Sequence, residues 1–143
     1  MTDLLGIDAL LSEKEKATRD RVAALVDEHI RPHVAQWYED AVLPESIFPV
    51  LAEAGLFGMH LEGYGCAGRT AVEYGLALQE LEAGDSGIRT VVSVQGSLAM
   101  SAIYKHGSEE QKQQWLPKMA AGDVIGCFGL TEPTAGSDPA GMA

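Results

Sequence analysis

Hydroxyls, glycines and backbone amides without an accompanying cation mark Gly129-Leu130-Thr131-Glu132-Pro133-Thr134-Ala135-Gly136-Ser137-Asp138-Pro139-Ala140-Gly141, which overlaps the end of an apolar run, Val124 to Leu130. The run reads as a strand, and small residues beyond it let backbone N–H groups turn together toward an anion. The chemistry that fits is phosphate binding by dipoles. From Met119 onward there is no Lys or Arg, whereas Asp123, Glu132 and Asp138 are acidic. Gly136 would permit close approach, Ser137 would add a donor, and Thr131 would offer its hydroxyl to a planar heterocycle. The same composition also describes a surface turn, since Pro, Gly, Ser and Asp are ordinary turn residues. The residues alone leave both readings open.

Arg89 is the second residue of interest, set between Asp85-Ser86-Gly87 and an apolar stretch. A guanidinium can grip a carboxylate with two parallel hydrogen bonds, although position alone favours a solvated arginine. Gly63-Tyr64-Gly65-Cys66-Ala67-Gly68 spells G-x-G-x-x-G. A dinucleotide-binding turn needs a buried strand before it and a βαβ unit around it, and here helical signals flank it. His29 and His33 would share a helix face, but Pro32 stands between them and no third ligand is near, so no metal site is nominated. His60 and His106 are isolated, and no Ser/His/Asp or Cys/His nucleophile arrangement assembles.

The elements that must position these residues are helices. Ser12 with Glu15 forms a capping-box pattern ahead of Val22, Leu25, Val26 and Ile30, a stripe that Pro32 should end or bend. Ser46 is the expected cap of a second helix, with Pro49 early in it and Gly55 as its stop. Thr70 with Glu73 opens a third, carrying Tyr74, Leu78 and Leu81, which Asp85-Ser86-Gly87 breaks. A fourth runs from about Arg89 to His106 with Val91, Val92, Leu98, Ala99 and Ile103 apolar, and Gly107 stops it. Ser108 with Gln111 opens a fifth, interrupted at Pro117 and ended at Gly122. Only the last stretch turns to β.

The chain has 143 residues and a formal charge of -11, which fits one domain and argues against nucleic acid or an anionic membrane surface as partner. Two cysteines, Cys66 and Cys127, suggest neither a disulfide framework nor a zinc site. Met1 to Gly6 lacks a basic region and a long apolar stretch, so no secretory signal or membrane span is expected and a cytoplasmic location is the default.

The segment Gly129 to Gly141 is similar at every position to the signature of the acyl-CoA dehydrogenases, flavoenzymes that desaturate acyl-CoA thioesters. Within that family the chain resembles the glutaryl-CoA dehydrogenase branch. The resemblance rests on Gly126-Cys127-Phe128-Gly129-Leu130-Thr131-Glu132-Pro133, on Asp85 to Gln95, on Ile103-Tyr104 and Gly107-Ser108-Glu109-Glu110-Gln111, and on Leu116-Pro117. It implies a mostly α fold: the helical N-terminal domain over residues 1–122, then the first strand and loop of the following β domain over 123–143.

The resemblance also implies FAD as cofactor. Phe128, Gly129, Leu130, Thr131, Glu132, Pro133, Thr134, Ala135, Gly136 and Ser137 would line it, with Thr131 at the isoalloxazine edge, Gly136 and Ser137 near the pyrophosphate, and Ser137 also near the acyl-CoA. In the glutaryl-CoA branch, an arginine within Asp-Ser-Gly-aromatic-Arg-Ser binds the distal carboxylate of the acyl chain. Arg89 and Thr90 would take that part here, with Ile88 in place of the aromatic residue and Thr90 in place of the serine. The family's proton-abstracting glutamate lies in a later helical domain, so no catalytic residue is nominated and this chain by itself is not expected to turn over substrate. Acyl-CoA, an electron-transfer flavoprotein or similar acceptor, and a homotetramer of the intact protein are the implied partners. Two other readings stay open: a short- or branched-chain enzyme in which Arg89 is surface, and a non-enzymatic helical domain that binds a partner through an exposed apolar face.

Overall fold

Three reciprocal capping boxes set the starts of the main helices. In a computed structural model that describes residues 6–142, the Glu15, Glu73 and Gln111 backbone N–H groups donate to the hydroxyls of Ser12, Thr70 and Ser108 at 3.4, 3.1 and 3.3 Å. The Glu15, Glu73 and Gln111 side chains in turn accept from the cap N–H groups at 2.8, 3.1 and 2.8 Å. Each box satisfies two donors that a helix N-terminus otherwise leaves orphaned. They open α1 (Glu13–His29), α4 (Ala71–Gly84) and α7 (Glu109–Ala120). Between them lie two short helices, α2 (Val34–Glu39) and α3 (Ile47–Glu53), and a continuous rod made of α5 (Ser86–Ser93), a π-helical turn (Val94–Met100) and α6 (Ser101–His106). Met1 to Leu5, most of the stretch read above for targeting signals, and Ala143 lie outside the described residues.

The core forms where α1 packs on α4 and the rod crosses both α4 and α7. Val22, Val26 and Ile30 present the expected stripe of α1, each 1% exposed or less. Leu51, Leu56, Phe57, Met59, Leu81, Ile88, Val92, Met100 and Leu116 close the same cluster. A Cβ on Gly84 would stand 2.5 Å from Val26 Cγ1, so α1 and α4 approach to a distance that a side chain would forbid.

Several expectations need correction. Ser46 makes no capping bond, because its own backbone is already helical, Phe48 N–H is taken by Glu45 C=O at 3.1 Å, and Pro49 has no N–H to offer. The fourth helix begins at Ser86, not near Arg89: Asp85 is extended, ends α4, and accepts from Ile88 N–H at 2.8 Å, so a single residue both breaks and restarts the helix. Pro117 does not interrupt α7. The N–H it lacks would have bonded Gln113 C=O, and Gln113 is exposed, so water can serve that carbonyl. Leu98 is 43% exposed, because the wider π turn rotates it out of the stripe. The run 124–130 has no regular secondary structure, and among the described residues no segment runs beside it as a ladder partner, so the expected strand is not formed.

Candidate functional site

Residues 124–127 alternate: Val124 and Gly126 are half-buried, whereas Ile125 and Cys127 are exposed, the pattern of a strand lying on a surface. The surface is the rod. Gln95, fully buried in the π turn, accepts from Gly126 N–H at 2.7 Å through Oε1 and donates through Nε2 to Val124 C=O at 2.8 Å and Met119 C=O at 3.1 Å. Beyond this clamp the chain runs out exposed through Phe128, Gly129, Leu130 and Thr131. A tight turn follows, in which Glu132 N–H donates to Ala135 C=O at 2.9 Å and Ala135 N–H to Glu132 C=O at 3.2 Å. Asp138 then accepts from Ala140 N–H at 3.2 Å and starts a short 3-10 turn.

The donors of this loop suit a phosphate-bearing heterocycle. Thr131, Thr134 and Ser137 are exposed, and among the described residues their hydroxyls have no hydrogen-bond partner. A Cβ at Gly129 would meet nothing within 4 Å, and at Gly136 only Thr131 Cγ2 at 3.9 Å. The protein's own packing therefore requires glycine at neither position, which leaves room for a ligand to approach the backbone. No residue from 128 to 137 adopts a positive φ, so any concavity comes from the turn and the hydroxyls rather than from a left-handed nest residue. With no cation after Lys118, a phosphate held here would be held by neutral donors and backbone dipoles.

Arg89 lies on α5, one third exposed, and its Nε donates to Glu82 Oε2 at 2.5 Å. Glu82 also accepts from Ser86 Oγ at 2.6 Å. These two contacts, the serine hydroxyl first and the guanidinium second, hold the Glu82 carboxyl below its ordinary range. The guanidinium is thus steadied through Nε, and its two terminal nitrogens have no hydrogen-bond partner among the described residues, the arrangement a bidentate carboxylate grip requires. The Thr90 hydroxyl donates back to Ser86 C=O at 2.7 Å and retains its acceptor capacity. No hydrogen bond or ion pair joins Arg89 or Thr90 to residues 128–137. A groove of about 540 Å³ lies beside the loop, walled by Ile103, Trp115, Met119, Val124 and Phe128.

The other sequence candidates resolve into structure. Gly63, Gly65 and Gly68 have φ of 75°, 82° and 59° in a turn with no strand before it, and Tyr64 donates from it to the Glu109 carboxylate at 3.0 Å. That turn ties the loop to the start of α7. His33 stacks on Trp37, and no group of three or more metal-ligating side chains exists among the described residues. His60 is not isolated: its Nε2 lies 3.1 Å from Ser101 Oγ and its ring packs on Tyr74, and burial lowers its pKa. Two residues escaped the sequence reading, Glu82 and Gln95. Gln95 had a signal, as the one polar residue in the buried register Ile88, Val92, Gln95, Ala99.

Residues 12–123 match the family described as the acyl-CoA dehydrogenase N-terminal domain. A glutaryl-CoA dehydrogenase from Mycobacterium smegmatis is 64% identical with a TM-score of 0.93, covering 98% of this chain and 36% of that one. A second structure of a glutaryl-CoA dehydrogenase from that organism, in complex with FADH2, is 56% identical with a TM-score of 0.94, over 98% of this chain and 36% of its own. The mitochondrial short-chain specific acyl-CoA dehydrogenase of Rattus norvegicus is 36% identical over 129 residues, 90% of this chain and 31% of that protein. The chain spans about a third of the length of the relatives it matches.

Proposed function

Because the chain belongs to the acyl-CoA dehydrogenase family and carries its N-terminal domain, we propose that it supplies the flavin loop and the acyl-end contact of an FAD-dependent enzyme acting on glutaryl-CoA or a related acyl-CoA. The observation that carries this reading is Arg89, held through Nε by Glu82 with the rest of its fork open. Bound FAD supplies the hydride acceptor for α,β-dehydrogenation of the thioester. The chain's own residues do the positioning. Phe128 to Ser137 would line the flavin, with the Thr131 hydroxyl at the ring edge and Gly136 and Ser137 near the pyrophosphate. Arg89 grips the distal carboxylate, Thr90 contacts it by turning its hydroxyl from Ser86 C=O to donate there, and the pair so selects a dicarboxylic acyl chain, whose product the glutaryl-CoA branch decarboxylates. Residues 1–122 then form the helical domain and 123–143 the opening of the β domain. A cytoplasmic homotetramer delivering electrons to an electron-transfer flavoprotein or similar acceptor belongs to the same reading.

Two substitutions in the native gene product that carries this sequence test it. Arg89→Ala is expected to lower kcat/KM for glutaryl-CoA by roughly 10- to 100-fold, the worth of a charged hydrogen-bonded pair, with butyryl-CoA nearly unaffected. Equal losses on both substrates, or none, would return Arg89 to the surface and favour a short- or branched-chain substrate. Thr131→Ala is expected to weaken FAD binding by about 1 kcal/mol, read by flavin fluorescence. Unchanged flavin affinity removes Thr131 from the site. A second reading keeps one observation in its favour: Trp115, Ile125, Phe128 and Leu130 are each about 40% exposed or more, apolar side chains near the end of the described chain that a protein partner would bury. A native product that takes up no FAD would favour it.

A further inference from the structure

The carboxamide of Gln95 meets three backbone groups, and two of them belong to the segment that enters the flavin loop. Gly126 N–H donates to it and Val124 C=O accepts from it, so one side chain supplies both bonds that a neighbouring strand would otherwise make. A primary amide presents the acceptor and both donors this geometry uses on one planar group. The third bond, to Met119 C=O, ties the same amide to the last turn of α7.

Packing fixes the register as tightly as the hydrogen bonds. A Cβ on Gly126 would stand 2.7 Å from Ala99 Cβ and 2.8 Å from Met119 Cε, so only glycine lets the segment lie this close to the rod. A slip of one residue would move the chain by about 3.3 Å and reverse which side chains face inward. The π turn that delivers Gln95 is itself held on its other side. Ser101 Oγ donates to Gly96 C=O at 3.0 Å, His60 Nε2 approaches the same hydroxyl, and Gly96 abuts the backbone of Gly58.

We propose that Gln95 is the positioning residue of the flavin loop: it sets where residues 124–126 enter, and through them where Thr131 and Ser137 present their hydroxyls. This rests on the flavin reading of that loop. Gln95→Met in the native gene product removes all three bonds at similar volume, and Gln95→Glu, kept protonated by burial against two carbonyls, retains the acceptor for Gly126 N–H and one donor in place of two. Amide hydrogen exchange across the chain and the FAD dissociation constant, with the visible spectrum of the bound flavin, are the readouts.

Gln95→Met should accelerate exchange over residues 124–131 by about tenfold and raise the FAD dissociation constant by a similar factor, as loss of about one net hydrogen bond requires. Protection of α1 and α4 should stay intact, and Gln95→Glu should fall between Met and the native residue. Acceleration spread evenly over all helices would make Gln95 a packing residue and overturn the proposal. So would unchanged exchange at 124–131, or faster exchange there with FAD affinity and spectrum unaltered. A native protein that binds no FAD sinks the flavin reading itself, whereas one that binds FAD and is insensitive to Gln95→Met sinks only this inference.

Discussion

Glu73→Ala is expected to destabilise the fold by about 2–4 kcal/mol, because it leaves the buried Thr18 hydroxyl and the Thr70 N–H without their acceptor. Glu73 is fully buried between α1 and α4. Its carboxylate accepts from Thr70 N–H at 3.1 Å, from Thr18 Oγ1 at 3.0 Å and from Arg69 Nη1 at 3.3 Å, and pairs with Lys14 Nζ at 3.3 Å. Four donors from two helices and a loop thus converge on one anion. The Thr70 amide, then Thr18 and Lys14, outweigh the burial penalty and pull its pKa from 4.5 down to about 2. The sign of the pH effect follows: the stabilisation is whole above the unfolded-state value near 4.5 and drains away as pH falls toward 2. Urea unfolding at a series of pH values checks this. The gap between native protein and Glu73→Ala should be widest near neutrality and narrow below pH of about 4. A gap that stays constant to pH of about 2 would show that the charge contributes nothing and the loss is packing alone. Glu73→Gln, which preserves volume but turns an amide donor toward other donors, should fall between the two.

Much of the helical layout was legible because its signals are local. A capping box is spelled in four residues, so Ser12, Thr70 and Ser108 announced three helix starts that tertiary context had no reason to override. Glu73 was visible only as the partner in such a box. Its larger role depends on Thr18, 55 residues away, which no local pattern connects to it. The π turn was hidden for a related reason: its residues spell an ordinary amphipathic helix, and the extra residue per turn shows only in which side chains end up buried. Leu98 was therefore placed inside and Gln95 overlooked. In the candidate site, the loop was legible as chemistry, since hydroxyls without cations restrict what can bind. Arg89 was legible as a residue type, but the partner that orients it was not, because Glu82 lies on the preceding helix beyond the Asp85 hinge and reaches Arg89 only once that hinge is formed.

Gly96→Val should cost about 3 kcal/mol, at the upper end for overpacking, because what it would strike cannot give way. A Cβ at Gly96 would lie 3.0 Å from Gly58 N and 3.3 Å from Gly58 Cα, backbone atoms rather than the free end of a side chain. Gly58 holds a φ of 62° in a turn closed by Leu61 N–H to Gly58 C=O at 2.8 Å, and its neighbours Phe57 and Met59 are each 1% exposed. Retreat of the turn would open the core, so the rod must move instead, and the residue beside Gly96 on that rod is Gln95. Valine adds branched carbons to the clash and alanine does not, so Gly96→Ala should lose less than Gly96→Val in urea unfolding. Loss of protection at Gly126 N–H should accompany both, as the displaced rod withdraws the Gln95 carboxamide that accepts from it. If Gly96→Val unfolds within about 0.5 kcal/mol of the native protein, the contact with Gly58 is not what seats the π turn, and the rod is free to adjust. If stability falls while Gly126 stays protected, the rod moves without releasing its clamp, and the seating of Gln95 depends on Ser101 rather than on glycine at 96.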